Sequence, residues 1–223
     1  MARRSDAPAA PRLVGVAGGG LENASWARNA DVARVGQAGE KRTAAVLAAL
    51  TSGRLAETGP SVLHDLRIPI AFRDGGAPNI DHVVVSGRDV WLLDSKVWKP
   101  GRYWTLRGHT RRGFERIAWA DKQTMVMARQ AISGRLYASG VLARVHRPIL
   151  VVWSSSSAGA PLTAWYRPKG ARAVSGEGGG LERMMRSWRK PAHPGIVSVL
   201  SALVVSTETP RRPGLVEPPP DWR

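Results

Sequence analysis

Two aspartates and a lysine lie in the apolar stretch 79–96, on either side of a sequence typical of a tight turn. If Gly87-Arg88 forms a two-residue hairpin loop, counting outward from it places Asp81 opposite Asp94. Side chains alternate between the two faces of a strand, so Asp81, Asp94 and Lys96 are predicted to share one face. The sequence therefore predicts a hairpin that brings two carboxylates and an ammonium group together.

Opposed like charges destabilise a sheet, so this pairing calls for a reason. A bound Mg²⁺ or Mn²⁺ is the simplest, because hard cations take oxygen ligands such as those of Asp81 and Asp94. Such an ion can activate water and stabilise the leaving oxygen in phosphodiester cleavage. Lys96 could orient the attacking water and offset charge that develops on the phosphate. The alternative is that both aspartates are solvated at the ends of their strands.

Two further polar residues fall on predicted helices. Glu40 lies on a helix predicted from about Asp31 to Leu50, on the same face as the apolar Leu47. An inward acid needs a partner, which the metal centre could supply; the alternative is an exposed acid paired with a nearby basic residue. Gln123 lies on a second predicted helix, over about 117–137, and by itself indicates little.

The overall charge points to a polyanionic partner. The chain has 33 Lys and Arg against 17 Asp and Glu, a net charge of +16. Nucleic acid is the usual partner of such a protein, although arginine-rich codon usage in a GC-rich genome would also raise the charge. The chain has no cysteine, which excludes disulfides and thiolate metal sites and fits a cytoplasmic protein. No stretch approaches the roughly 20 apolar residues of a membrane helix, so no membrane association is expected.

A basic and aromatic stretch follows directly after Lys96 and is predicted to form a short hairpin around Gly108. Its candidate phosphate-binding residues are Arg102, Arg107, Arg111 and Arg112. Tyr103 or Trp104 could stack on a base, or could pack on the core. The pattern favours core packing for Trp104.

The order of predicted elements is helix, three strands, helix, strand, followed by shorter elements. It is typical of an α/β protein with a mixed sheet and helices packed on it. Residues 1–30 are predicted to be a disordered basic arm, 31–206 the folded domain and 207–223 a disordered Pro-rich tail.

Four sequence blocks, taken in order, resemble the nuclease-related domain (NERD) family of the PD-(D/E)xK, restriction-endonuclease-like superfamily. The blocks are Gly36-x-x-Gly39-Glu40, Val62–Leu66, Asn79–Val85, and Leu92–Lys96 followed by Gly101. The resemblance covers about Gly36 to Trp153 well and extends loosely to about Val205. It implies a restriction-endonuclease-like αβββαβ core with a mixed central sheet flanked by helices.

The resemblance also implies a role for each candidate residue. Asp81 and Asp94 are similar to the two acids of the family motif, Lys96 to its lysine and Glu40 to the helix acid that completes such sites. Gln123 falls where many members of the superfamily carry a helical glutamine. Asp94 departs from the family pattern, which usually has Glu there, so the metal geometry could shift.

The implied activity is that of a metal-dependent DNA nuclease. Asp81, Asp94, the Ser95 carbonyl and Glu40 would hold the Mg²⁺ or Mn²⁺ ion. The alternatives are RNA cleavage and a non-catalytic nucleic-acid-binding or recruitment module that retains the fold.

Overall fold

A computed structural model describes residues 12–18, 30–68, 79–121 and 124–205 of the chain. In these ranges a seven-stranded mixed sheet and a second sheet of four strands are formed. Gln123, the predicted C-terminal tail and most of the predicted N-terminal arm lie outside the described residues.

The elements begin and end as follows. The strands are β1 (Leu13–Val14), β2 (Ser61–Arg67), β3 (Asn79–Ser86), β4 (Asp89–Trp98), β5 (Gly101–Leu106), β6 (His109–Arg112), β7 (Glu115–Arg116), β8 (Arg144–Val145), β9 (Ile149–Ser154), β10 (Pro161–Trp165) and β11 (Arg172–Ser175). The helices are α1 (Ala30–Leu47), α2 (Thr124–Ala138), α3 (Gly180–Met185) and α4 (Pro194–Ser201). Short 3₁₀ turns cover Ala48–Leu50, Gly53–Leu55 and Ala118–Asp121.

The large sheet has the strand order β1-β2-β3-β4-β9-β11, with β8 also paired to β4. Strand β3 is antiparallel to both β2 and β4, whereas β9 is parallel to both β4 and β11. The order α1, β2, β3, β4, α2, β9 along the chain is the αβββαβ order of a restriction-endonuclease-like core. The predicted fold class is therefore confirmed.

Two apolar layers cover the sheet. On one face, buried Leu47 of α1 and Leu181 of α3 pack with strand residues such as Val151. On the other face, buried side chains of α2 and α4, among them Ile132 and Ile196, pack in the larger cluster. The helices bury apolar side chains against the sheet. The polar side chains at the strand ends lie outside these apolar layers and are available for binding or catalysis.

The β3–β4 hairpin has the register predicted from its turn. Ser86 pairs with Asp89, and the ladder continues to His82 paired with Leu93. Gly87 begins the loop with a φ of 63°, a left-handed conformation that glycine adopts without steric cost. Asp81 and Asp94 lie one position beyond the last pair of this ladder, opposite each other as predicted.

The second sheet follows β4 directly and has the strand order β10-β5-β6-β7. Its β5–β6 pair is the predicted hairpin, with Leu106 opposite His109 across the turn at Gly108. Tyr103 of β5 is buried and packs on Trp98 at the end of β4, with ring centroids 4.7 Å apart. This aromatic contact fixes the small sheet beside the large one.

The structure departs from the sequence prediction at two segments. Residues 12–18, predicted to belong to a disordered arm, include β1, which pairs in parallel with β2. The Arg12 guanidinium also donates hydrogen bonds to the carbonyls of Glu57 and Gly59. The second helix begins at Thr124 rather than near residue 117, and Ala118–Asp121 form a 3₁₀ turn instead. The Asp121 carboxylate at the end of this turn accepts a hydrogen bond from the Thr110 N–H of β6 at 2.7 Å.

Candidate active site

Asp94 and Lys96 form a direct ion pair on the central strand β4. The Lys96 Nζ lies 2.6 Å from Asp94 Oδ2, and their side chains are 43% and 13% exposed. The residue between them, Ser95, is buried and points to the opposite face, as alternation along a strand requires. The acid-x-Lys spacing thus produces a partly shielded, solvent-accessible pair of opposite charges.

Asp81 is held against the same strand by its side chain. Its Oδ2 accepts a hydrogen bond from the Ser95 backbone N–H at 2.6 Å. A charged acceptor makes this bond shorter and stronger than an ordinary amide bond. The carboxylate is thereby fixed next to Asp94, the arrangement that hairpin register predicts.

Helix α1 brings Glu40 to this end of the sheet by close packing and by hydrogen bonds. A Cβ built on Gly39 would lie only 2.6 Å from Val97 Cγ2, so the absence of a side chain allows the helix to approach β4. One turn later, Thr43 Oγ1 accepts hydrogen bonds from Ser95 Oγ and Trp153 Nε1, both at 2.8 Å. These contacts fix the height and rotation of the helix, and with them the position of Glu40.

Two buried histidines extend this network away from the acids. His82 contacts Ser95 Oγ through Nε2 at 3.3 Å and His64 Nδ1 through its own Nδ1 at 2.7 Å. Burial lowers the pKa of His64 to about 4, and burial together with the neighbouring His64 lowers the pKa of His82. Both rings are therefore neutral near pH 7. His82 lies on the face of β3 opposite Asp81, as alternation along a strand requires, and is fully buried.

The acids influence one another strongly. Burial raises the pKa of Glu40 to about 7, with further increases from Asp65 and Asp94 that Lys96 and the Gly18 N–H partly offset. Burial also raises the pKa of Asp81, and Asp94 and Glu40 raise it further. Crowded, partly desolvated carboxylates of this kind are costly without a compensating cation.

Lys96 supplies part of that compensation. Burial alone would lower its pKa, but Asp94, Asp81 and Glu40 outweigh burial and raise the pKa above its ordinary value. The ammonium group therefore stays protonated across the physiological range. A permanently charged lysine is suited to hold and orient an anion or a water molecule, and it cannot act as a general base.

Asp65 is an acid of this site that sequence reasoning did not single out. The β2–β3 register, with His64 opposite His82, places Asp65 opposite Asp81. Asp65 adopts a φ of 54°, uncommon for a residue other than glycine, and its Oδ1 accepts a hydrogen bond from Asn79 Nδ2 at 2.8 Å. The connection between β2 and β3 is too long for turn geometry to set this register. The pairing of Asp65 with Asp81 therefore could not be derived by counting residues outward from a turn.

The predicted phosphate-binding arginines lie on the small sheet and differ in their surroundings. Arg112 is paired with Glu115 at 2.6 Å, and Arg111 donates a hydrogen bond to the Phe114 carbonyl at 2.8 Å. Arg107 lies at the β5–β6 turn with a φ of 49°, and Arg102 stacks over the Trp165 ring. Tyr103 is buried, which removes it as a base-stacking residue. The core packing predicted for Trp104 is wrong: its side chain is half-buried on the other side of β5 and donates from Nε1 to the Gly113 carbonyl at 2.7 Å.

The donor set fits a hard divalent cation in its chemistry. Glu40, Asp81 and Asp94 offer carboxylate oxygens at one end of the sheet, and their mutual repulsion is of the kind that a cation relieves. As they stand, no three carboxylate or imidazole side chains within the described ranges are arranged to hold an ion together. The Lys96 ammonium is instead the group that neutralises Asp94.

The fold is that of a nuclease-like α/β protein. It has a mixed sheet with flanking helices, an acid-x-Lys pair on the central strand and an acid from the first helix. Comparison with family models agrees: residues 35–147, about half of the chain, match the model of the nuclease-related domain, NERD. The chain belongs to this family. No curated protein and no solved structure gives a significant match.

None of the helices in the described part of the chain has the length and apolar character needed to span a membrane.

Proposed function

We propose that the protein is a metal-dependent nuclease that hydrolyses phosphodiester bonds of DNA. The proposal depends above all on one observation: the Asp94–Lys96 ion pair lies beside Glu40 and Asp81 at one end of the central strands, and burial with the neighbouring acids raises the pKa of Glu40 and of Asp81. Strongly perturbed carboxylates around a lysine are costly for stability, and such clusters are characteristic of functional sites. Membership of the nuclease-related domain family supports the same reaction class.

In this proposal Asp81 and Asp94 hold Mg²⁺ or Mn²⁺, with Glu40 and the Ser95 backbone carbonyl as further oxygen ligands. The Ser95 side chain takes no part, because its hydroxyl donates to Thr43 on the opposite face. The bound ion would act as a Lewis acid on the scissile phosphate and lower the pKa of a coordinated water.

Lys96 has the role of orienting the nucleophile and the phosphate. Its ammonium group is close to Asp94 and keeps its charge, so it can donate to a non-bridging phosphate oxygen or to the attacking water. The 43% exposure of its side chain leaves it accessible to a substrate that approaches from solvent. Gln123, which directly precedes α2 in the chain, is proposed to contribute a further polar contact to the substrate or the attacking water.

Cleavage of linear, circular and single-stranded DNA, with Mg²⁺, Mn²⁺ or EDTA, tests the proposal directly. The wild type is expected to cleave only with metal, and Asp94→Ala to be inactive. Glu182→Ala, which removes an exposed acid on α3, is the matched control and is expected to behave as wild type. Equal cleavage, or equal lack of it, by wild type and Asp94→Ala at all metal concentrations would refute the catalytic assignment.

A non-catalytic nucleic-acid-binding module is the second candidate, favoured by the net charge of +16. It predicts salt-sensitive DNA binding that neither EDTA nor Asp81→Ala changes. Competition between DNA and RNA substrates in the same assay separates DNA cleavage from RNA cleavage.

A further inference from the structure

The small sheet presents one face to solvent, and that face is both basic and aromatic. We call it the outer face; its residues are Arg102, Trp104, Leu106, Arg111, Leu162 and Trp165. They share one side because Trp104 is opposite both Arg111 and Trp165, and Arg102 is opposite Leu162. The other side of the sheet is turned inward, with Tyr103 and Thr110 buried.

The outer face exposes large apolar side chains. Leu162 is 61% exposed, Trp165 57% and Leu106 44%, and Phe114 at the adjacent β6–β7 turn is 96% exposed. Within the described part of the chain, no helix or strand buries these side chains as the core residues are buried. Contiguous exposed apolar residues rimmed by polar ones typically mark a binding site.

Arg102 and Trp165 form a preassembled stack on this face. The guanidinium carbon of Arg102 lies 3.6 Å from the centre of the Trp165 ring, a close cation–π contact. The exposed side of a stacked guanidinium plane is a surface on which a nucleobase can lie, and aromatic side chains serve the same purpose. Such stacking requires bases that are not enclosed in a duplex.

The charges of the outer face fit a polyanion. Its two arginines, Arg102 and Arg111, have no acid opposite them within the described strands. The single acid of these strands, Glu115, is paired with Arg112. The nearby Asp121 accepts a hydrogen bond from the Thr110 N–H and lies 3.3 Å from His109 and 3.9 Å from Arg116, which leaves Arg102 and Arg111 as the uncompensated charges of the face. The face is therefore positive as well as aromatic, the combination found in grooves that bind single strands.

The outer face is also close to the candidate active site along the chain. Strand β4 carries Asp94 and Lys96 and, after Lys99 and Pro100, leads into β5, which carries Arg102. Six residues of extended chain span at most about 20 Å, so a short stretch of nucleic acid could reach from Arg102 to Lys96.

We propose that the outer face of the small sheet binds an unpaired strand of nucleic acid, with bases stacked on the Arg102–Trp165 pair, and leads it to the Asp94–Lys96 site. This inference rests on the proposed nuclease function and specifies its substrate as a single-stranded or locally unpaired nucleic acid.

Binding in EDTA, where cleavage is not possible for a metal-dependent enzyme, tests the face separately from the chemistry. Fluorescence anisotropy would compare a labelled single-stranded oligodeoxynucleotide with its duplex, using the full chain and the variants Trp165→Ala and Arg102→Gln. The matched controls, Tyr137→Ala and Arg135→Gln, remove exposed residues of α2. Circular dichroism would establish that all four variants are folded.

Loss of one stacking platform is expected to weaken single-strand binding about tenfold and duplex binding much less. The control variants are expected to bind as wild type. Wild-type affinity for the single strand in both Trp165→Ala and Arg102→Gln would overturn the proposal, and so would an equal loss for single strand and duplex. Because no metal is present, failure of the cleavage assay would leave this result unaffected.

Discussion

Lys96 Nζ lies 2.6 Å from Asp94 Oδ2, so the acid and the lysine of the central strand neutralise each other directly. Any cation that binds Asp94 must share this carboxylate with the ammonium group or displace it. Asp94 is also the shorter acid where the family usually has Glu, which leaves little reach for sharing. This relationship makes Lys96 the residue whose removal separates metal binding from catalysis most clearly.

Lys96→Gln is expected to lower the cleavage rate by about 10²–10³-fold, the usual effect of losing one preorganised donor at a reacting oxygen. Metal binding should persist, because Gln leaves all of the carboxylates in place. Cleavage rates and Mn²⁺ binding by calorimetry, measured on the same samples, check this. Lys99→Gln, an exposed lysine three residues later, is the control and is expected to retain the wild-type rate. Loss of Mn²⁺ binding in Lys96→Gln would contradict the assigned role.

Asp81→Asn is expected to stabilise the metal-free protein by about 1–2 kcal/mol. Burial and the neighbouring Asp94 and Glu40 raise the pKa of Asp81, so its charge is unfavourable in the folded state. The Asn Oδ1 can still accept the Ser95 N–H bond, so the contact is kept while the repulsion is lost. Denaturant unfolding in EDTA measures the stability, and the shift of the unfolding midpoint with Mn²⁺ measures the response to metal.

The wild type is expected to gain stability when Mn²⁺ is added, and Asp81→Asn is expected to lose most of that gain. Asp89→Asn is a less suitable control, since Asp89 is paired with His146; Glu182→Gln, on the exposed side of α3, is suitable. Lower stability of Asp81→Asn in EDTA would show that the charge of Asp81 is favourable, contrary to the site described above.

The β3–β4 hairpin shows how much of this site the sequence alone determines. A two-residue turn at Gly87-Arg88 fixes the register, and from it follow the Asp81–Asp94 opposition and the shared face of Lys96. The αβββαβ order likewise follows from helix and strand periodicity. Local rules of this kind act over a few residues, which is why they can be read without a structure.

The other parts of the site depend on contacts between residues far apart in the chain. Thr43 lies 52 residues from Ser95 and 110 from Trp153, yet it binds both. The approach of Gly39 to Val97 depends equally on how α1 docks on the sheet. Neither periodicity nor spacing reports such tertiary contacts, so spacing indicated Glu40 only as an inward acid, and its place in the site came from the family resemblance. Asp65 was not singled out as an acid of the site.

His64 is expected to make the protein less stable as the pH falls from about 6.5 to about 4. In the unfolded chain the histidine pKa is 6.5, whereas burial lowers the folded-state pKa of His64 to about 4. Between these values the unfolded state binds more protons, so acidification favours unfolding by up to about 3 kcal/mol at the low end. Above pH 6.5 the ring is neutral in both states and contributes no pH dependence.

His64→Gln removes this proton uptake and is expected to flatten the pH dependence between pH 6.5 and 4. Urea unfolding of wild type and variant at half-unit pH intervals gives the difference directly, since the carboxylates titrate in both proteins. His109→Gln, at an exposed position of the small sheet, is the control. Parallel stability curves for wild type and His64→Gln would refute the buried, neutral state of His64.

Thr43→Val is expected to destabilise the protein by about 1–3 kcal/mol, because it leaves buried donors of Ser95 and Trp153 without their acceptor. Valine keeps the shape of threonine, so the loss reports the hydroxyl rather than a cavity. Thr51→Val is the control, since the Thr51 hydroxyl donates to the Ala48 carbonyl at an exposed position. Equal stability of Thr43→Val and wild type would show that the hydroxyl does not anchor α1.

Gly39→Ala is expected to lower both stability and cleavage, because the new methyl group would lie 2.6 Å from Val97 Cγ2 and force α1 away from β4. Overpacking of this kind costs about 1–3 kcal/mol, and displacement of the helix also moves Glu40, the next residue. Gly134→Ala on α2 is the matched substitution, since nothing lies within 4 Å of a Cβ at that position. There alanine is expected to stabilise the helix by up to about 1 kcal/mol with no change in cleavage. Denaturant unfolding and cleavage rates of the two variants test this prediction. A gain of stability in both variants would mean that α1 can move away from β4 without cost. An unchanged cleavage rate in Gly39→Ala would mean that the reaction does not depend on the position of Glu40.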